Sequence, residues 1–164
     1  MSTHVATIRW SQDEGDHFTL GRYTRVHEIA FDGGATIVGS ASPDIVRPPF
    51  SDPAGVDPEE MFIASLASCH MLWFLDFARR AKIEVLSYED NPEGKMTKDA
   101  DGRVWLSKVT LRPKAECQAS LTEIEKLHHQ AHDACFIANS VKTEVVVEPV
   151  MFDGSSAGGR DEAG

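Results

Sequence analysis

Cysteine is scarce in this sequence, and the cysteines that occur lie far apart. Cys69, Cys117 and Cys135 make an odd count without any C-x-x-C spacing. This pattern excludes a disulfide framework and a zinc ribbon. The first residues, MSTHVATIRW, also lack the basic and apolar segments of a secretory signal. We therefore predict a cytoplasmic protein, in which a disulfide between two of these thiols would be transient and chemical in role.

Basic residues are also few in this sequence. Lys and Arg number 16 against 26 Asp and Glu, which gives a formal net charge of -10. No cluster of basic residues forms a stripe that would neutralise the phosphates of a duplex. The composition therefore predicts that the protein has no nucleic-acid partner.

Length and hydrophobic content indicate one compact domain. The chain has 164 residues, of which 41% are hydrophobic, enough for a core of ordinary size. After about residue 150 the sequence is mostly Gly, Ser, Ala and charged residues, with little to bury. We predict a single domain over residues 1–150 and a disordered C-terminal tail over residues 151–164.

Alternating segments predict strands in two parts of the chain. Residues 4–10 form one predicted strand, and a second run from about 18 to 31 leads through Asp32-Gly33-Gly34 into a strand at 35–39. Because Asp-Gly-Gly is typical of a hairpin turn, this N-terminal third is predicted to be antiparallel sheet. Further strands are predicted near residues 83–88, 104–111 and 141–150.

The segment DPEE predicts the start of a long helix. Asp57 is the expected N-cap, Pro58 the first helical residue, and Glu60 closes a capping box. The helix is predicted to run to about Lys82, after a proline-rich loop over residues 43–58 that excludes helix and central strand.

This first helix is apolar around its whole circumference, so we expect it to be buried on all sides. A membrane span is the alternative, but it would place His70 and Asp76 in lipid at a cost of a few kcal/mol. We therefore predict no membrane association. A second helix over SLTEIEKLHHQAHDAC begins with Ser120 as N-cap and Glu123 as its capping-box partner. Together these elements predict an α+β fold.

Two of the thiols lie on the two predicted helices. Cys69 is in the middle of the first helix, in SLASCHMLWF, and Cys135 ends the second. Both helices also carry unusual polar residues, notably histidines. A mid-helix cysteine is commonly a small hydrophobic residue, but an intracellular pair of buried cysteines also suits redox or metal chemistry. Both interpretations stay open from the residues alone.

The segment VDPEEMFIASLASCHMLWFLDFA resembles the central helix of the OsmC/Ohr family. In that family a Pro-Glu pair opens the helix and a cysteine follows ten residues after the glutamate, as Cys69 follows Glu59. Cys135 resembles the second cysteine of the family, and the likeness extends over residues 4–150. Phe136 stands where the family commonly has proline, and His70 where an aromatic residue is usual, which is typical of a divergent branch.

The resemblance implies a thiol-dependent peroxidase that reduces organic hydroperoxides without a cofactor. The implied architecture is an intertwined α+β homodimer, in which antiparallel sheet packs on a long buried central helix and a second helix. By this resemblance Cys69 is the peroxidatic thiol, Cys135 is the resolving thiol, and Glu59 positions a catalytic arginine. A small or protein dithiol would return the resulting disulfide to two thiols.

A cation near Cys69 is expected, because apolar surroundings disfavour the reactive thiolate. Arg25 is one candidate, since a strand would place it on the same face as Tyr23 and His27, directed inward. Arg47, in the proline-rich loop, is the other, because it lies nearer to where OsmC-type proteins carry an arginine. The sequence does not choose between them.

Helix geometry supports a homodimer independently of the resemblance. Ten helical residues rise about 15 Å, so Glu59 and Cys69 of one chain cannot share a hydrogen-bonded site. Two subunits would be needed to bring them together. A partner would also cover the apolar helix on the sides that a single sheet leaves bare.

Two other functions remain as alternatives. His128, His132 and Cys135 share one face of the second helix and, with Cys69 or His70 as a fourth ligand, would suit zinc. Alternatively, the protein is a non-catalytic dimer that binds an apolar ligand and leaves its cysteines inert.

Overall fold

Eight β-strands and two α-helices make up residues 2–151, the part of the chain that this computed structural model describes. Two short 3-10 turns, at Phe18–Leu20 and Ala138–Ser140, accompany them. The strands are β1 Ala6–Arg9, β2 His27–Phe31, β3 Thr36–Gly39, β4 Val85–Asp90, β5 Glu93–Lys98, β6 Val104–Leu111, β7 Pro113–Cys117 and β8 Glu144–Val147. The helices are α1 Pro58–Arg80 and α2 Leu121–Ala134. This is the predicted α+β class.

The chain divides into two units, Met1–Phe62 and Ile63–Gly164. The first contains β1 to β3 and the first turn of α1. The second contains the rest of α1, the remaining strands and α2. The single domain over residues 1–150 stays a prediction, and residues 152–164 of the predicted tail lie outside the described residues.

The first unit contains the predicted antiparallel sheet, in the order β1-β2-β3. Its hairpin turns between Phe31 and Thr36, where Gly34 has a φ of +87°. The Phe31 N–H donates to the Ala35 carbonyl at 2.9 Å. The predicted hairpin is therefore confirmed, and glycine is needed there because other residues rarely adopt that φ.

The strand predicted from about residue 18 is wrong in its first half. Phe18–Leu20 forms a 3-10 turn, and Gly21 follows it with a φ of +73° that no strand contains. The Phe18 and Tyr23 rings lie 4.5 Å apart, in contact with Trp10. These aromatic contacts curl the segment, so β2 begins only at His27.

The capping box predicted at the start of α1 is confirmed. The Glu60 N–H donates to Asp57 Oδ1 at 2.7 Å, and the Asp57 N–H donates to Glu60 Oε2 at 3.0 Å. The helix ends at Arg80 rather than at Lys82. Lys82 has a φ of +60°, and the Ile83 N–H closes the end by donating to the Ala78 carbonyl at 2.9 Å.

Within the described residues one face of α1 is buried, and the expected cover of its other faces by a partner subunit stays a prediction. The buried residues are Leu66, Ala67, His70, Phe74 and Ala78. By length and composition α1 could cross a membrane, with a mean hydropathy of 1.5, a property it shares with core helices of water-soluble proteins. Leu72, on another face, is 61% exposed.

The second unit contains two sheets, with orders β4-β7 and β5-β6-β8. Two of these strands, β5 and β7, are absent from the sequence-based prediction, and Cys117 ends β7 instead of lying in a polar connection. The pairing of β6 with β8 is parallel. The other strand pairs in the described residues are antiparallel, as predicted, and β8 runs parallel to β6 because the connection that contains α2 returns the chain to the same end of the sheet.

The core of the second unit joins both helices to β7. Phe74 and Ala78 of α1 pack with Leu127 and Ala131 of α2 and with Ala115. The predicted capping box of α2 is confirmed, since Ser120 and Glu123 bond each other in both directions. The core and the cap together fix the two cysteine-bearing helices side by side.

Candidate functional site

Two thiols meet where α1 and α2 pack together. Cys69 is half-buried in the middle of α1, and Cys135 is the C-cap residue of α2 with 1% of its surface exposed. Both are free thiols, and they lie close enough that Cys69 contributes to the raised pKa of Cys135. The structure thus brings together the two cysteines that the sequence singled out.

The environment of Cys135 keeps it protonated. Burial raises the pKa of this thiol to about 11. The Ala138 N–H, which donates to its sulfur at 3.4 Å, acts in the opposite direction and lowers the pKa. The neighbouring Cys69 thiol acts in the same direction as burial. Cys135 is therefore held as a neutral thiol, and Cys69 is the more exposed of the two.

A pair of buried histidines lies beside the thiols. His70 follows Cys69 in α1, and its Nε2 lies 3.0 Å from Nδ1 of His128 in α2. The two rings are within 6° of parallel with centroids 5.3 Å apart. The distance between the ring centroids equals the N···N distance plus the radii of the two rings. The two nitrogens therefore lie between the rings, which meet edge to edge in one hydrogen bond.

Burial keeps both imidazoles neutral. Removal from water, with the neighbouring His128 and His132 adding to it, lowers the pKa of His70 to about 3. Burial also lowers the pKa of His128 to about 4. One ring therefore donates and the other accepts near neutral pH. The outer nitrogens, His70 Nδ1 and His128 Nε2, have no hydrogen-bond partner within residues 2–151.

An aromatic patch flanks the thiols, formed by Trp73, Phe77 and Phe136. The Trp73 ring lies 5.5 Å from Phe77 and 5.3 Å from Phe136 between centroids. Trp73 is one helical turn after Cys69, and Phe136 directly follows Cys135. Phe136 is 68% exposed, so the patch presents aromatic surface to solvent next to both cysteines.

Three predicted site residues belong to the first unit. Glu59 is half-buried in the first turn of α1. Arg25 precedes β2 and does not lie on a strand face as expected; its guanidinium stacks on the Tyr23 ring at 3.7 Å and donates to the Gly21 carbonyl at 3.1 Å. Arg47 is exposed in the loop before α1. Their assignment to Cys69 stays a prediction.

The zinc alternative finds no support in the geometry. Within residues 2–151 no group of three or more His, Cys, Asp or Glu side chains is arranged to hold a metal. His128 instead directs Nδ1 at His70, where a proton occupies the space between the two nitrogens.

The pairing of His70 with His128 is the feature that sequence reasoning missed. From the sequence, the two residues are linked only as possible ligands of one zinc ion. A signal was available, because His70 falls on the buried stripe with Leu66 and Phe74, and His128 adjoins buried Leu127. A histidine at such a position needs a buried hydrogen-bond partner.

The protein has an α+β fold in which the central helix and the second helix each contribute one of two neighbouring thiols. These features define a dithiol protein. Residues 51–150 match the family of OsmC-like proteins. The chain therefore belongs to the OsmC-like protein family. A comparison with curated proteins finds no match.

Solved structures agree with this assignment. An OsmC-like protein of unknown function from Vibrio cholerae is 46% identical, with a TM-score of 0.89 over 92% of this chain and 100% of that one. The organic hydroperoxide resistance protein OsmC from Legionella pneumophila is 17% identical (TM-score 0.68, 92% and 97% covered). The organic hydroperoxide resistance protein OhrB of Bacillus subtilis is 20% identical (TM-score 0.63, 92% and 98% covered). The last two share the fold.

Proposed function

We propose that this protein is a thiol-dependent peroxidase that reduces organic hydroperoxides. The observation that carries the proposal is the proximity of Cys69 and Cys135, which places a more exposed thiol beside a buried one. The names of the Legionella and Bacillus proteins of the same fold, which are organic hydroperoxide resistance proteins, point to the same chemistry.

The proposed cycle has three steps. The Cys69 thiolate attacks the terminal oxygen of the hydroperoxide, the O–O bond breaks, and the alcohol leaves with a proton. Cys69 is then a sulfenic acid. The Cys135 sulfur attacks the Cys69 sulfur, the S–S bond forms, and the S–OH oxygen leaves as water with the Cys135 proton. A small or protein dithiol finally exchanges with the disulfide and restores both thiols.

The aromatic patch favours an apolar substrate. Trp73 and Phe136 lie next to the two cysteines, so an alkyl or aryl group on the peroxide would bury apolar surface as its O–O bond approaches Cys69. Each buried CH₂ contributes about 0.8 kcal/mol to binding. Hydrogen peroxide would gain none of this, so the organic substrate is preferred.

The catalytic cation is proposed to come from the first unit. Glu59 would hold either Arg25 or Arg47 near a Cys69 thiolate, and both arginines remain candidates. Glu59 and Cys69 lie ten residues apart in the same helix, a rise of about 15 Å. The pairing is therefore proposed across a homodimer, with the exposed apolar side of α1, including Leu72, against the partner.

Stopped-flow oxidation tests the function. The reduced protein is mixed with cumene hydroperoxide and with hydrogen peroxide, and free thiols are titrated over time. We expect fast loss of two thiols with the organic peroxide, slower loss with hydrogen peroxide, and no fast phase in Cys69→Ser. Cys117→Ser, which alters a thiol at the end of β7, is the matched control and retains the fast phase. Equal, slow oxidation of all three proteins would reject the peroxidase and favour a binding protein with inert cysteines.

A further inference from the structure

The His70–His128 pair ties the two cysteine-bearing helices together at one point. His70 is 1% exposed and His128 is 3% exposed, so both rings are removed from bulk water. An unpaired imidazole at either position would lose the hydrogen bonds that water provides in the unfolded chain. The N–H···N bond therefore favours one axial position and one rotation of α2 relative to α1.

A second contact fixes the same ring. Phe74, one turn after His70, stacks on His128 with ring centroids 4.3 Å apart. His128 is thus held by two successive turns of α1, by a hydrogen bond from one and by ring contact from the other. This leaves its ring little freedom to rotate or slide.

The thiols lie on the same two helices as this contact. Cys69 directly precedes His70, and Cys135 follows His128 by two turns, at the point where α2 ends. A helix is stiff over two turns. The position of the Cys135 sulfur relative to Cys69 therefore depends on where His128 is held.

We propose that His70 and His128 are positioning residues that hold Cys135 in place for its attack on Cys69. This inference rests on the proposed function for its catalytic meaning. The step concerned forms the S–S bond, breaks the S–O bond of the Cys69 sulfenic acid, and releases water with the Cys135 proton. The histidines act through α1 and α2, not by touching the peroxide.

Amide substitutions test the hydrogen bond apart from its packing. Asn places its amide near the position of His Nδ1, and Gln near that of Nε2. His70→Gln and His128→Asn therefore keep a polar atom at the bonding position. His70→Asn and His128→Gln also introduce an amide, but they move its polar atoms away from the bonding position. At residue 128 both amides lose the Phe74 ring contact equally, so that pair differs mainly in the hydrogen bond.

The first measurement is the effective concentration of the Cys69–Cys135 thiol pair, from equilibrium with reduced and oxidised dithiothreitol. We expect it to fall about tenfold in His70→Asn and His128→Gln, the ratio that one buried hydrogen bond supports. His70→Gln and His128→Asn should stay within about threefold of wild type. His129→Gln, at the exposed neighbour in α2, should match wild type.

The second measurement separates the two oxidation steps in a single turnover with cumene hydroperoxide. Sulfenic acid formation should keep its rate in all variants, while disulfide formation slows in His70→Asn and His128→Gln. Equal effective concentrations in all four variants, or equal losses in both members of each pair, would overturn the proposal. A wild-type protein inert to peroxide would reject the peroxidase, yet the dithiothreitol equilibrium would still decide the role of the pair. If one residue-70 variant fails to fold, the residue-128 pair gives the same comparison.

Discussion

At the scale of single residues, the two cysteines differ in a way that assigns their order in the proposed cycle. Cys135 is buried, and its pKa is raised to about 11, so at neutral pH it is a proton-bearing thiol. A thiol of that kind is a poor first nucleophile. Cys69 is more exposed, which suits the thiol that meets the peroxide first.

Replacement of Cys135 should stop the cycle after its first step. In Cys135→Ser we expect one equivalent of cumene hydroperoxide to be reduced, a sulfenic acid to accumulate on Cys69, and repeated turnover with a dithiol to be lost. Dimedone labelling followed by peptide mass spectrometry measures the sulfenic acid. Full turnover in this variant would mean that Cys135 is not the resolving thiol.

The buried histidines make stability sensitive to acid. Their pKa values fall from 6.5 in the unfolded chain to about 3 for His70 and about 4 for His128 in the fold. Below pH 6.5 the unfolded chain binds protons that the folded chain does not, so the free energy of unfolding decreases as pH falls toward 4. Each histidine contributes a slope of up to about 1.4 kcal/mol per pH unit.

Urea unfolding at about pH 7.5 and about pH 5 measures this effect. We expect a smaller loss of stability on acidification in His70→Gln, because that variant has one fewer group to titrate. His129→Gln, at an exposed position, should lose as much as wild type. An unchanged slope in His70→Gln would contradict the assignment.

At the scale of secondary-structure elements, α1 carries the site and its ends are fixed by local chemistry. Asp57 and Glu60 satisfy backbone groups at the first turn, and Lys82 takes the left-handed conformation that stops the helix. The buried stripe through Leu66, His70 and Phe74 then sets which face meets α2. Cys69 lies at the edge of that face.

Removal of the N-cap should destabilise the protein without affecting the thiols directly. Asp57→Ala loses the acceptor for the Glu60 N–H, and we expect the free energy of unfolding to drop by about 1 kcal/mol. Asp57→Asn retains an oxygen at that position and should stay within a few tenths of a kcal/mol of wild type. Chemical denaturation measures both variants, and equal losses would show that the cap contributes little.

At the scale of the whole molecule, exposed apolar surface on the central helix is the feature that calls for explanation. Only one face of α1 is buried in the chain, although the helix is apolar on all sides. Leu72 is 61% exposed on a helix whose composition would suit a core. The proposed homodimer would cover α1 and account for this composition, and it would also supply the Glu59 that the proposed site needs.

Sedimentation velocity tests the assembly. We expect wild type to sediment as a dimer at micromolar concentration, and Leu72→Glu to shift toward monomer, because burial of an unpaired carboxylate in an apolar interface is unfavourable. Leu86→Glu, at a similarly exposed leucine (66%) on β4, is the matched control. A wild-type monomer that stays folded on dilution would remove the dimer from the proposed function.

The sequence by itself determined the local features of this protein. The capping boxes of both helices and the Asp-Gly-Gly hairpin follow from residues within a few positions of one another, where backbone bonding limits the choices. The resemblance of the α1 segment to OsmC/Ohr proteins also lies within one continuous stretch.

Only the tertiary structure decided which distant residues meet. His70 and His128 are 58 positions apart, and their hydrogen bond exists because two helices pack with those faces together. The contact of Cys69 with Cys135 and the parallel pairing of β6 with β8 have the same origin. Such contacts depend on how whole elements pack, which the spacing of residues along the chain does not specify.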